Sequence, residues 1–109
     1  MYIADVEDLL AWREELRVSE HALREAHKEG LWAKDIIHAI LHGKVVEHYR
    51  DRQRVLVVGP MRDFDIPIHV ICDYSDKKEI VAVTVYIPNR PKWLTAQTRG
   101  PLANSAPAS

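Results

Sequence analysis

At Gly43 the spacing of the apolar residues changes from helical to alternate, and that change commits the chain to a mixed α+β fold. Before it, Val6, Leu9, Leu10 and Leu16 keep helical spacing. Asp5 stands as an N-cap with Asp8 three residues on, and Arg13 lies on the same stripe. Ser19 predicts a second N-cap, a second helix follows over Glu20–Glu29, and Gly30 stands where a left-handed C-terminal residue is wanted. A third helix is predicted from about Ala33 to His42, with Ile36, Ile37, Ile40 and Leu41 inward and Gly43 as its stop.

After Gly43 four strands are predicted: Lys44–Tyr49, Arg54–Val58 ended by Gly59-Pro60, Ile66–Asp73, and Glu79–Ile87. Their short links predict a four-stranded antiparallel meander in the order 1-2-3-4. The last two strands are apolar on both faces, so the second face should be partly covered by the first helix, Trp93, a second subunit or a ligand. A turn with Asp76-Lys77 at its tip would set His69 opposite Thr84 and Pro67 opposite Tyr86. His69, Thr84 and Tyr86 then share one face, and whether Arg54 joins them stays open.

The chain has 109 residues, 47% of them hydrophobic and 28% charged, which suits one core and excludes a wholly disordered chain or a rod. We expect a single domain over residues 1–93 and a disordered tail over 94–109, which is small, polar and proline-containing. No apolar run approaches the roughly 20 residues of a membrane span, and the acidic start lacks a signal-peptide pattern. With one cysteine, Cys72, the expectation is a cytoplasmic protein with no membrane partner and no cofactor. The net charge of −1 divides into −4 over residues 1–35 and +3 over 36–109, a mildly basic second half that could face phosphates.

From Ser19 to Trp93 the chain resembles a family of small bacterial proteins, family 4258 in the domain-of-unknown-function series. The matching pieces are SEHALREAHKEG, DIIHAILHGKVVEHY, RVLVV, PIHVIC and IVAVTVYIPNRPKW, in the family's order. The most specific are His21-Ala22, Gly43 before Val46-Glu47-x-Tyr49, and Thr84-Val85-Tyr86-x-Pro88 followed by Trp93. The family is distantly similar to the RelE/ParE toxin fold, two helices on a four-stranded antiparallel sheet. The resemblance implies the toxin of a toxin–antitoxin pair that cuts messenger RNA, with a zinc-finger or helix-turn-helix antitoxin as partner.

Metal-free RNA cleavage requires a group to take the 2′-hydroxyl proton, a cation to stabilise the phosphate, and a group to protonate the 5′-oxygen. His69, Arg54, Thr84 and Tyr86 form such a set, and His21 in the first turn of the second helix is a further candidate base. Arg50, Arg52, Arg62 and Lys77 are the candidate RNA-binding residues, with Lys78 beside them. Each has a plainer reading: a half-buried histidine, surface arginines, a packed tyrosine ring. Glu47 and Tyr49 read as an ion pair and a packed ring. His38 and His42 share a helix face, but a zinc site needs a third and usually a fourth ligand, so no metal site is expected and they read as solvated. Cys72 reads as a buried inert thiol. A second functional reading stays open, a non-catalytic protein-binding or homodimerising module whose two-sided apolar sheet a partner completes.

Overall fold

The computed structural model describes residues 3–62 and 66–88. Its elements are α1 (Val6–Leu10), β1 (Glu15–Val18), α2 (Glu20–Lys28), α3 (Ala33–Leu41), β2 (Lys44–Tyr49), a 3-10 turn (Arg50–Arg52), β3 (Arg54–Pro60), β4 (Pro67–Asp73) and β5 (Glu79–Tyr86). Among the described residues the fold is α+β with three α-helices, and the five strands stand in the order β1-β5-β4-β3-β2. The four strands after Gly43 pair antiparallel in sequence order. The expected four-stranded, purely antiparallel sheet is nevertheless corrected, because β1 adds a fifth strand parallel to β5.

The sequence reading ran β1 into the first helix. Asp5 does cap α1, its Oδ1 accepting the Asp8 amide at 2.9 Å, but the helix stops at Leu10. Trp12 turns the chain at φ +66° with its indole 92% exposed, a conformation that side chains rarely take. Arg13 leaves the stripe and donates to the Ala11 and Tyr74 carbonyls at 3.3 and 2.8 Å. From there Leu16 and Val18 turn to the core while Glu15 and Arg17 face out, the period of a strand.

Ser19 Oγ accepts the Ala22 amide at 3.0 Å, and Gly30 takes φ +79°, so α2 starts and stops as read. On α3 Ile36, Ala39 and Ile40 are buried, whereas Leu41, expected inward, is exposed. Gly43 is required for a different reason than a left-handed stop. A Cβ there would lie 2.7 Å from the Val58 carbonyl oxygen, and one on Gly59 would lie 2.7 Å from the Ala39 Cα. The last turns of α3 therefore rest directly on the β3 backbone. This also explains why Gly59-Pro60 does not end the strand: Gly59 pairs with Ile68 and Pro60 with Pro67, and the Met61 amide closes the loop on the Ile66 carbonyl at 3.0 Å.

The core lies between the helices and one sheet face, lined by Val55, Val57, Ile68, Val70, Cys72, Ile80, Ala82 and Val85. Ile3, Val6 and Leu9 belong to this same cluster, so α1 packs on the helix side and does not cover the second face. Trp93, the tail over 94–109 and the expected boundary at residue 93 lie outside the described residues. Leu9 is fully buried, so Leu9→Ala should cost about 3 kcal/mol. Chemical denaturation measures this, and a change under 1 kcal/mol would mean that α1 is not docked.

Candidate active site

Alternation puts Lys44, Glu47, Tyr49, Arg54, Leu56, Val58, His69, Ile71, Asp73, Thr84 and Tyr86 on the outer face of the sheet, away from the helices. The β4–β5 pairing differs from the expected register. His69 faces Tyr86 and Ile71 faces Thr84, a slip of two residues. Two features produce it. Asp73 and Asp76 bind the Ser75 and Lys78 amides at 2.9 and 2.7 Å, which opens a wider turn, and a bulge follows between Ile71 and Cys72. An even slip preserves side-chain parity, so His69, Thr84 and Tyr86 still share a face, and Arg54 shares it too through its pairing with Asp73.

His69 Nδ1 lies 3.2 Å from the Tyr86 hydroxyl, and the two rings are 5.0 Å apart. The imidazole is fully buried, with Leu56 and Val58 also buried on this face, while Tyr86 is 36% exposed. Tyr86, not His69, is thus the member of the pair that reaches solvent. Thr84 stands two residues along, half-buried. Arg54 is not beside them. It lies four residues from Val58, the partner of His69, so about 13 Å along β3. Its Nε is bound to Asp73 Oδ2 at 3.0 Å. At that end of the face Tyr49 donates to Glu47. Burial, that hydrogen bond, the Glu47 charge and the Tyr86 phenol push the Tyr49 hydroxyl up to about 12.

The other candidates are dispersed. His21 sits in the helix layer, its Nε2 3.3 Å from Glu25 Oε2, and Glu25 Oε1 accepts the Val85 amide at 3.2 Å. That amide lies beyond the last β1–β5 pair, Val18 with Ala82, so a side chain serves it instead of a strand. Arg62 holds Asp35 at 2.8 Å near the start of α3, away from the outer face. Arg50 and Arg52 project from the 3-10 turn and line an open hollow of about 450 Å³ with His48, Tyr49 and Asp51. Lys77 is exposed on the β4–β5 turn. Burial pushes the Cys72 thiol up to about 12, so it is protonated and inert at neutral pH. Sequence reasoning missed Asp73, Glu25 and Tyr74, whose hydroxyl is 2.6 Å from His48 Nε2. Only the β3–β4 register could have found Asp73, and the link between Pro60 and Pro67 has no turn signal that fixes that register in the sequence.

Two of the carboxylates that face arginine, Asp73 and Asp35, make stability acid-sensitive. Burial pushes Asp73 up. The Ser75 hydroxyl and amide and the Arg54 guanidinium outweigh it, leaving the carboxyl below its ordinary value of 3.8. Burial likewise raises Asp35, and the Arg62 hydrogen bond, the Trp32 amide and the Arg62 and Lys34 charges bring it below 3.8. A carboxyl lowered in the folded state stabilises fully above its unfolded value and loses that contribution as the pH falls through its folded value. Urea midpoints should therefore be level above about pH 5 and fall below about pH 4. Asp73→Asn should flatten part of that fall, and an unchanged acid limb in the variant would contradict the assignment.

The family model described as "Domain of unknown function (DUF4258)" matches residues 18–87. The chain belongs to that family. No curated protein and no solved structure matches it. Among the described residues no helix is long and apolar enough to cross a membrane, and no three histidines, cysteines or carboxylates group as a metal site.

Proposed function

We propose that this protein is the toxin of a bacterial toxin–antitoxin pair, a metal-independent endoribonuclease acting on messenger RNA from the outer face of its sheet. The observation that carries the reading is the His69–Tyr86 pair, a buried imidazole bonded to a hydroxyl that reaches solvent. In this reading Tyr86 meets the substrate and His69 stands behind it. The 2′-hydroxyl proton passes to Tyr86 as the phenol gives its own to His69. The 2′-oxygen then attacks phosphorus, the bond to the 5′-oxygen breaks, and the proton returns to the leaving oxygen by the same route. Arg50, Arg52 and Arg54, which lie at the other end of the face, hold neighbouring phosphates of the same strand. The packing of α2 and α3 on one sheet face supports kinship with the RelE/ParE fold. The partner this reading requires is an antitoxin of the zinc-finger or helix-turn-helix type that covers the outer face.

The test is induced expression in a bacterium without the antitoxin, following growth and bulk messenger RNA together. Growth arrest with RNA fragmentation is expected. Normal growth with intact RNA and soluble, folded protein would remove the toxin reading. Two observations favour the alternative, a non-catalytic binding or dimerising module: His69 is fully buried, and Arg54 is already neutralised by Asp73. In that case the folded chain should be a stable dimer or bind a partner without cleaving RNA.

A further inference from the structure

His38 and His42 lie one turn apart at the end of α3, His38 half-buried and His42 exposed. Their ring centroids are 4.3 Å apart with the planes tilted by 38°. That spacing can be compared with a shared metal ion. A metal–nitrogen bond of about 2.05 Å puts the ion about 3.2 Å from each ring centre. The observed spacing lets one ion lie within that reach of both rings, and a donor set of two nitrogens with water oxygens suits tetragonal nickel and copper, whereas zinc takes three or four protein ligands. The position favours a cation independently. His42 is the C-cap of α3, at the negative end of the helix dipole.

We propose that His38 and His42 form a two-nitrogen chelate for a divalent transition metal of tetragonal preference, nickel or copper. Water completes the shell, because no third histidine, cysteine or carboxylate joins them among the described residues. The next histidine along the chain, His48, is bonded to Tyr74. The site lies on the helix layer and shares no residue with the outer face, so it stands or falls separately from the proposed cleavage of RNA. A bound ion links the two last turns of α3, the turns that rest on Gly43 and Gly59 of the sheet.

The test is calorimetric titration of the full chain with nickel ion alone and with zinc ion alone, repeated on His38→Ala, His42→Ala and His27→Ala. His27 contacts Trp32 and is the control for unspecific histidine binding. The expected result is one nickel per chain, bound more tightly than zinc, with an unfolding temperature that rises as nickel is added. Each of the first two variants should weaken binding about tenfold or more, the least that loss of a ligand should cost when supporting groups alone contribute 10–100-fold, and His27→Ala should leave it unchanged. Absence of saturable nickel binding, equal binding by the His38→Ala/His42→Ala double variant, or zinc bound as tightly as nickel would overturn the proposal. Circular dichroism of each variant shows that a lost affinity is not a lost fold.

Discussion

Gly59→Ala should lower the stability of this domain by about 3 kcal/mol, the upper end for overpacking a core. The added methyl would fall 2.7 Å from the Ala39 Cα and nearer still to its carbonyl, and all of these atoms are backbone. A flexible side chain could rotate away, but here either α3 lifts or β3 bends. Gly59 also lies between Val58 and Pro60 in a strand whose interior is buried on both faces, which leaves the sheet little room to yield. For a domain of this size the loss corresponds to a fall on the order of 10–20 °C in unfolding temperature. Differential scanning calorimetry measures it. A change of less than about 1 kcal/mol would show that α3 does not sit on the strand as described. Gly30→Ala is a useful contrast. A methyl there meets no atom within 4 Å, so its cost comes only from φ +79°.

Tyr86→Phe should reduce RNA cleavage about 10²-fold, the scale of a lost proton-transfer group, if the outer face is the active site. The ring remains and only the hydroxyl that joins His69 to solvent is removed, so stability should change by about 1 kcal/mol or less. His69→Ala should abolish cleavage as well, but it empties a fully buried position and should also cost about 2 kcal/mol or more. The plainer reading of a half-buried histidine gives way to full burial, which is why its removal also costs stability. Growth arrest, RNA integrity and urea unfolding measured on the same variants separate the two effects. Growth arrest by Tyr86→Phe as strong as by the wild type would exclude the relay and make His21, with its carboxylate neighbour Glu25, the next group to test.

What could be read from the residues and what could not divide along physical lines. The caps at Asp5 and Ser19, the glycine after α2 and the four alternating strands follow from local chemistry, and local chemistry is visible in a sequence. β1 was hidden because Glu15–Val18 is too short to show a period, and its partner strand lies far along the chain. The face shared by His69, Thr84 and Tyr86 was legible although their pairing was not, since parity survives an even slip. Distance along that face was not legible. Arg54 carries the right charge on the right side of the sheet, but the β3–β4 register places it beside Asp73 rather than beside the imidazole.

The parallel pairing of β1 with β5 has a consequence for how the chain acquires its shape. Each pair joins positions 64 apart, as Glu15 is from Glu79. The hairpins formed by β2, β3, β4 and β5 close over short loops and can assemble early, whereas β1 must wait for nearly the whole described chain. During synthesis the first strand therefore emerges long before its neighbour in the sheet, β5. Until Glu79–Ala82 has left the ribosome, the edge of β5 does not exist, and Leu16 and Val18 have no strand to dock on. Closure of that edge should follow the rate-limiting step of folding, so destabilising β1 should speed unfolding far more than it slows refolding.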